Sequence, residues 1–351
     1  MAGVAFIKDL AESASPASLP PSYAFNDQDP TAVIDDMVVD SLALDDAHDT
    51  IPVIDFSLLV SDDPDQRSKT IQDLHKACQE WGFFMVVNHG VPEALTESMI
   101  NKCREFFDLT VEEKQEFQGK HALDPIRCGT SFNFSAEEVH FWRDFLKIMV
   151  HPQFRCPHKP PGLSAVVSDY CNQERAMVRE LLRAISLGLG LEEDRIEKAY
   201  NLEMGLEMFV ANYYPACPQP ELAMGMPPHS DHGLLTVLTH NQVAGLQIWR
   251  RGKWVQVHSL PNSFILNVGD HLEIFSNGKY KSILHRAVVN NRVARMSVGI
   301  GFAPSLDTVA APAEELAHPA AAYKPIKFQD YLESQQKNKL QGKSCLDAVR
   351  I

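Results

Sequence analysis

The sequence predicts a mixed α and β chain, with a jelly-roll core braced by helices before it and one helix after it. Three observations carry this expectation. Between residues 66 and 189, apolar residues recur at helical spacing in long runs. After residue 205 the pattern changes to short alternating runs at 208–214, 234–240, 246–250, 253–258, 263–268, 283–289 and 296–303. Short strands spaced in this way, with turn residues between them, suit a β-barrel or jelly roll. Helical spacing then returns at 326–341, through Ile326, Phe328, Tyr331, Leu332 and Leu340.

Taken in order, residues 1–49 are rich in Ala, Ser, Pro and Asp and read as a partly ordered arm. A short helix is expected at 4–11. Met37, Val38, Val39, Leu42 and Leu44 offer apolar contacts to the body. Residues 50–204 read as a mainly helical region with flanking strands. Its first strand is 51–56, where Pro52 suits an edge or a strand start. A helix over 66–81 ends at Gly82, and 83–87 is a buried strand followed by the turn Asn88-His89-Gly90. His89 reads as a turn histidine bonded to backbone. A helix at 93–107 precedes a capping box that begins at Thr110. Residues 119–160, with many prolines, read as irregular. Their aromatics (Phe132, Phe134, Phe141, Trp142, Phe145) suit either core between layers or the wall of a pocket. The longest helix is expected at 164–189. Residues 205–305 form the predicted jelly roll, with a hairpin-type turn at Asn277-Gly278. A loop and a final helix fill 306–351.

Composition narrows the function classes. The chain has 351 residues, 45% hydrophobic and 22% charged, as ordinary globular proteins do. Its formal charge of −14 argues against nucleic acid or anionic membrane as partner. No window approaches the ~20 apolar residues of a membrane span. Seven scattered cysteines, without a Cys-x-x-Cys pair, suit reduced thiols. The N-terminus lacks the basic and apolar regions of a signal peptide. These features lead us to expect a cytoplasmic protein with neither nucleic acid nor a membrane as partner.

Chemistry concentrates at Pro228-His229-Ser230-Asp231-His232-Gly233. On extended backbone, residues i and i+2 share a face, so His229 and Asp231 present an imidazole and a carboxylate side by side. By the same rule His232 points away from Asp231, and it reads as supporting or surface. His285 lies in a later apolar alternation at 281–289. Two imidazoles and one carboxylate on one face of a metal leave three positions open, the facial arrangement of non-haem Fe(II) oxygenases. Arg295 and Ser297 share a strand face ten residues further on. An arginine fork matches a carboxylate bidentately, so this pair suits the far end of a small dicarboxylic acid. His240, His258 and His271 read as structural.

Asn212-Tyr213-Tyr214-Pro215, His229-x-Asp231, Asn277-Gly278-Lys279-Tyr280-Lys281-Ser282-x-x-His285-Arg286 and Arg295-x-Ser297 occur in this order. In this combination the chain resembles the plant 2-oxoglutarate/Fe(II)-dependent dioxygenases, the branch containing flavanone 3-hydroxylase and anthocyanidin synthase. The resemblance runs from about residue 50 to the C-terminus, since each motif falls within it. It implies a double-stranded β-helix core, with Fe(II) held by His229, Asp231 and His285. It implies 2-oxoglutarate bound by Arg295, Ser297, Tyr214 and Asn212, with O2 as oxidant and ascorbate as reductant. It further implies a small-molecule substrate, a monomer, and a C-terminal helix closing over the substrate mouth. The implied reaction is decarboxylation of 2-oxoglutarate to succinate and CO2, coupled to hydroxylation, desaturation or ring closure of a substrate.

Phe132, Phe134, Phe145, Val210, Leu234 and Phe302 are the candidate pocket residues. They favour a flat or apolar molecule such as a flavonoid, phenylpropanoid, alkaloid or terpenoid. Anthocyanidin synthase-type members carry Lys and an acid where this chain has Val210 and Ala303, which argues against that activity. Two other readings are an Fe(II) oxidase of the same fold that does not use 2-oxoglutarate, and a non-catalytic metal-binding barrel. A zinc hydrolase would leave Arg295-x-Ser297 unexplained.

Overall fold

A computed structural model describes residues 6–12, 18–25, 50–121, 123–131, 137, 139–337 and 343–351. Twelve strands build the body: β1 (Val53–Asp55), β2 (Phe83–Val87), β3 (Ile126–Thr130), β4 (Asp144–His151), β5 (Leu206–Tyr214), β6 (Met226–His229), β7 (Leu235–His240), β8 (Leu246–Arg250), β9 (Lys253–Gln256), β10 (Phe264–Val268), β11 (His285–Ala287) and β12 (Arg295–Ala303). They form two facing sheets. The larger has the order β1-β2-β10-β7-β12-β5-β4-β3, and the smaller β6-β11-β8-β9. This is the jelly roll expected of residues 205–305, extended by four strands from the N-terminal half. β1 takes the sheet edge, where Pro52 can precede it without costing a ladder bond.

The larger sheet separates two environments by strict alternation along its strands. On β12, Met296, Val298, Ile300 and Phe302 pack into the main core, while Arg295, Ser297, Gly299, Gly301 and Ala303 line a cavity between the sheets. Helix α4 (Leu163–Gly188) covers the core side through Val167, Tyr170, Met177 and Leu181. Helices α2 (Pro64–Glu80) and α3 (Glu93–Phe107) pack beside it. α2 starts on the Asp63 cap and ends before Gly82, whose φ of +63° turns the chain into β2.

The arm contributes helix α1 (Ile7–Glu12), whose Ile7 and Lys8 amides donate to Asp144 at 2.9 Å each. The apolar arm residues 37–39, 42 and 44 lie outside the described residues, as do Phe132 and Phe134. The expected capping box at Thr110 is present. Asn277 and Gly278 both have positive φ. They follow a short helix, Asp270–Phe275, instead of joining two strands. The expectation that 119–160 is irregular is corrected, since β3 and β4 form there. In β4, Leu146, Ile148 and Val150 face the core while Phe145 and Lys147 face the cavity. The lysine hides an ordinary strand alternation.

The C-terminal helix is α5 (Phe328–Lys337). Its Tyr331 hydroxyl donates to Asp270 at 2.7 Å, and its Gln335 reaches the cavity. No described helix is long and apolar enough to cross a membrane.

The loop after β6 is strapped to the start of the 270–275 helix. Asp270 N–H donates to Asp231 O at 2.7 Å, and His271 N–H to Gly233 O at 3.0 Å. A Cβ at Gly269 would come within 2.2 Å of the Gly233 carbonyl oxygen. Gly269→Ala is therefore expected to cost about 1–3 kcal/mol, as overpacking does. A Cβ at Gly301 meets nothing within 4 Å, so Gly301→Ala should be near neutral. Urea unfolding of the two variants checks the contrast; equal midpoints would refute the close approach.

Candidate active site

β6 and β11 pair with His229 opposite His285, beside a register irregularity between His285 and Ala287. The two rings lie 4.2 Å apart, centroid to centroid. Asp231 follows β6 on the strapped loop. Its Oδ1 stands 3.7 Å from Nε2 of each histidine, and ligand atoms of all three residues lie within 4.8 Å of one another. The i and i+2 reading took the pair to lie on extended backbone; in the structure β6 ends at His229, and Asp231 lies two residues beyond it.

Backbone carbonyls orient both rings. His229 Nδ1 donates to Pro227 O at 2.8 Å, and His285 Nδ1 to Ile283 O at 3.1 Å. A carbonyl can only accept, so each Nδ1 carries a proton and Nε2 is the nitrogen turned towards Asp231. Burial, joined by His285, pushes the His229 pKa down to about 4, which favours the neutral imidazole. Burial opposes the charge on Asp231. His285, His229, Thr236 and Asn267 outweigh it and hold the carboxyl well below its usual range. Asn267 donates to Asp231 Oδ2 at 2.8 Å, leaving Oδ1 towards the histidines. Two imidazole nitrogens and one carboxylate oxygen, converging on one point, fit a divalent metal with open positions.

Across the cavity, β5 and β12 pair Tyr214 with Arg295 and Asn212 with Ser297. These four expected residues therefore form one patch. Arg295 is 2% exposed. It donates to Ser297 Oγ and Val243 O at 3.2 Å each, and its guanidinium carbon lies 5.2 Å from the Tyr214 ring centroid. No carboxylate pairs with it among the described residues, and burial lowers its pKa. A buried cation of this kind calls for an anion, which fits a dicarboxylic acid. Sequence reasoning missed Arg143, which donates to Asn212 Oδ1 at 3.0 Å and Ser131 O at 2.7 Å. It also missed Thr236 and Asn267, the supports of Asp231.

Phe145 and Val210 line the cavity, whose volume is ≈ 250 Å³. Leu234 and Phe302 do not, which corrects the expectation for both. Phe302 alternates with the cavity residues of β12 and so faces the core. Leu234 precedes β7 in a turn bonded to Phe302 O, and its side chain is in the same core. His89 behaves as expected, its Nδ1 accepting from Val91 N–H at 3.2 Å. His232 lies beside the cavity, and its carbonyl accepts from His271 Nδ1.

Residues 51–165 match the family described as non-haem dioxygenase in morphine synthesis N-terminal, and residues 205–304 match the 2OG-Fe(II) oxygenase superfamily. A rice (Oryza sativa subsp. japonica) protein named 2-oxoglutarate-dependent dioxygenase 19 is 46% identical over 304 residues, covering 86% of this chain and 90% of its own. The chain belongs to the 2-oxoglutarate/Fe(II)-dependent dioxygenase family. Rice flavanone 3-dioxygenase 2 is 38% identical over 307 residues, covering 86% of this chain and 87% of its own. Among solved structures, JOX2 in complex with 2OG, Fe and JA has a TM-score of 0.85 at 30% identity, covering 99% of this chain and 98% of that one. The enzyme is thus an oxidoreductase that uses Fe(II) and 2-oxoglutarate, and its donor set fits both.

Removing the support of the carboxylate tests how the site is held. Asn267→Ala should weaken Fe(II) binding about 10–100-fold, as loss of a partner of a metal ligand does. Metal titration with a far-ultraviolet circular dichroism control checks this; unchanged affinity would show that Asn267 does not orient Asp231.

Proposed function

We propose that His229, Asp231 and His285 hold the Fe(II). We further propose that Arg295, Ser297, Tyr214 and Asn212 bind 2-oxoglutarate, and that the substrate is a small apolar or aromatic plant specialised metabolite. The observation that carries this is the buried, carboxylate-free Arg295 across the cavity from three convergent ligand atoms. The flavonoid, phenylpropanoid and alkaloid classes fit a cavity with Phe145, Val210, Met208 and Leu238 in its wall. A cytoplasmic monomer is the form we assign to it, in keeping with seven free cysteines.

When bound, Fe(II) and 2-oxoglutarate supply oxygen activation coupled to release of succinate and CO2 and oxidation of a substrate C–H bond. The chain's own residues do the positioning. Arg295, Ser297 and Tyr214 fix the far carboxylate of the co-substrate, and Asn212, itself held by Arg143, faces its near end. The Nδ1–H bonds to Pro227 and Ile283 keep both imidazoles aimed. Gly299 and Gly301 add no side chains to the β12 floor, which leaves room for substrate beside the ligands. The apolar wall excludes water from the reacting centre.

Adding Fe(II) and then 2-oxoglutarate to metal-free protein under nitrogen should give the visible charge-transfer band of an iron–keto acid chelate. Arg295→Ala should raise the 2-oxoglutarate concentration needed for that band about 10–100-fold, the worth of a lost charge-assisted pair. Iron binding without any band in the wild type would favour the oxidase reading over this one.

A further inference from the structure

The C-terminal helix brings one buried polar side chain into the cavity that the 2-oxoglutarate reading does not use. On α5 the positions turned to the body are Phe328, Tyr331, Leu332 and Gln335, the i, i+3, i+4 and i+7 set of one helix face. Three of them are accounted for. Phe328 and Leu332 pack with Leu206 and Ala303 in a small apolar cluster, and Tyr331 donates to Asp270. Gln335 is 7% exposed and lines the cavity. Its carboxamide has no hydrogen-bond partner among the described residues. Buried amides are almost always paired, and a Leu or Met at 335 would continue the apolar face without desolvating an unpaired group. The exception calls for a partner from outside the chain.

Gln335 stands at the end of the cavity away from Arg295. The inward residues of β12 run from Arg295 through Gly299 and Gly301 to Ala303. Thr236, which supports the Asp231 carboxyl, is opposite Gly301 on β7. Asp231 is therefore level with Gly301. Arg295 lies six residues to one side of that level and Ala303 two residues to the other. α5 covers the Ala303 side through Leu332. A co-substrate between Arg295 and the metal ligands leaves the Ala303 side for the molecule to be oxidised, with Leu206, Met208 and Val210 as its apolar wall. The carboxamide offers two N–H donors, a carbonyl acceptor and no charge. A hydroxyl suits it in either orientation, since it accepts from the N–H or donates to the C=O.

We propose that Gln335 determines substrate specificity, and that the molecule oxidised here is an aromatic alcohol whose hydroxyl hydrogen-bonds the Gln335 carboxamide. The proposal rests on the oxygenase reading above and narrows its substrate class. The ring lies along the Leu206, Met208 and Val210 wall, and the hydroxyl is its one fixed polar point. The carbon presented to the metal ligands then lies away from the hydroxyl, because the ligands are level with Gly301 and Gln335 comes from the helix over the Ala303 side. A ring without the hydroxyl leaves the carboxamide buried and unpaired, which is how a site built for a hydrogen bond rejects the analogue that lacks it. Phe328 and Leu332 anchor α5 by their own packing, so the carboxamide is held in place before the substrate arrives.

The test uses the full chain loaded with Fe(II) and 2-oxoglutarate under nitrogen. 7-Hydroxycoumarin, 4′-hydroxyflavanone and 4-phenylphenol are titrated against coumarin, flavanone and biphenyl, with calorimetry and the visible band as readouts. At least one phenol should bind about tenfold or more tightly than its parent. Gln335→Leu and Gln335→Met should each weaken that phenol to a similar extent while leaving the parent unchanged. A variant that still forms the 2-oxoglutarate band is folded, so its lost preference is not unfolding. Urea unfolding of the ligand-free variants separates recognition from a structural role. Replacing an unpaired buried amide should leave the midpoint unchanged or raise it, whereas losing an internal partner would lower it. Equal affinity for phenols and parents, no binding by any phenol of the panel, full preference in both variants, or a lowered midpoint in both would overturn the assignment. Absence of the band in wild-type protein would instead overturn the oxygenase reading.

Discussion

The site depends on one cross-strand register. β6 and β11 must pair with His229 opposite His285, because a shift of one residue would turn one imidazole to the other face of the smaller sheet. Asp231 is not held by that ladder. It is brought in by the loop after β6, whose carbonyls accept from the first amides of the 270–275 helix. That helix is tied in turn to the C-terminal helix through Asp270 and Tyr331. Two of the three proposed ligands therefore come from sheet geometry and one from a strap that glycine at 269 allows to close. The strap thus links the jelly roll to α5, whose Gln335 reaches the cavity.

Charge is distributed against the grain of the composition. The chain is strongly acidic as a whole, yet its cavity is lined by Arg127, Arg143, Lys147, Arg286 and Arg295, with Asp231 as the carboxylate among its lining residues. Burying cations is costly in proportion to how poorly they are paired. The Ser297 hydroxyl, the Tyr214 ring across the β5–β12 pairing and the Val243 carbonyl from the loop after β7 lower this cost for Arg295. Each of these leaves part of the guanidinium fork open to a ligand. A net charge of −14 is unfavourable to polyanions, whereas the cationic lining of the cavity suits a small anion.

The larger part of this was legible in the sequence because it is periodic. The i and i+2 rule brought His229 beside Asp231 and Arg295 beside Ser297, and the seven alternating runs after residue 205 marked the jelly roll. The same rule would have removed Phe302, which alternates with Arg295 and Ser297 and must face the core. β4 stayed hidden because its cavity-facing positions include Lys147, and a buried lysine looks like a loop residue. Arg143, just ahead of β4, was hidden with it. Asn267 and Thr236 could not be read at all, since neither type signals a support for a carboxylate until the fold brings it to Asp231. The close approach of Gly269 to Gly233 joins segments 36 residues apart in sequence and leaves no periodic trace.

The N-terminal arm belongs to the site despite lying outside the motifs. Asp144 is fully buried, and the amides of Ile7 and Lys8 are its hydrogen-bond donors. Burial pushes its pKa up to about 6, against the pull of those two amides. Asp144 sits between Arg143 and Phe145, and a strand alternates its faces, so fixing Asp144 on one side fixes its two neighbours on the other. Arg143 then meets Asn212, and Phe145 forms the wall between Arg143 and Arg127. Around them Ile7 packs with Trp142 and Tyr214 in a small cluster that seals this end of the sheet. A segment that reads as a tail in sequence thus sets the position of a guanidinium inside the cavity, through two backbone hydrogen bonds and one strand's alternation.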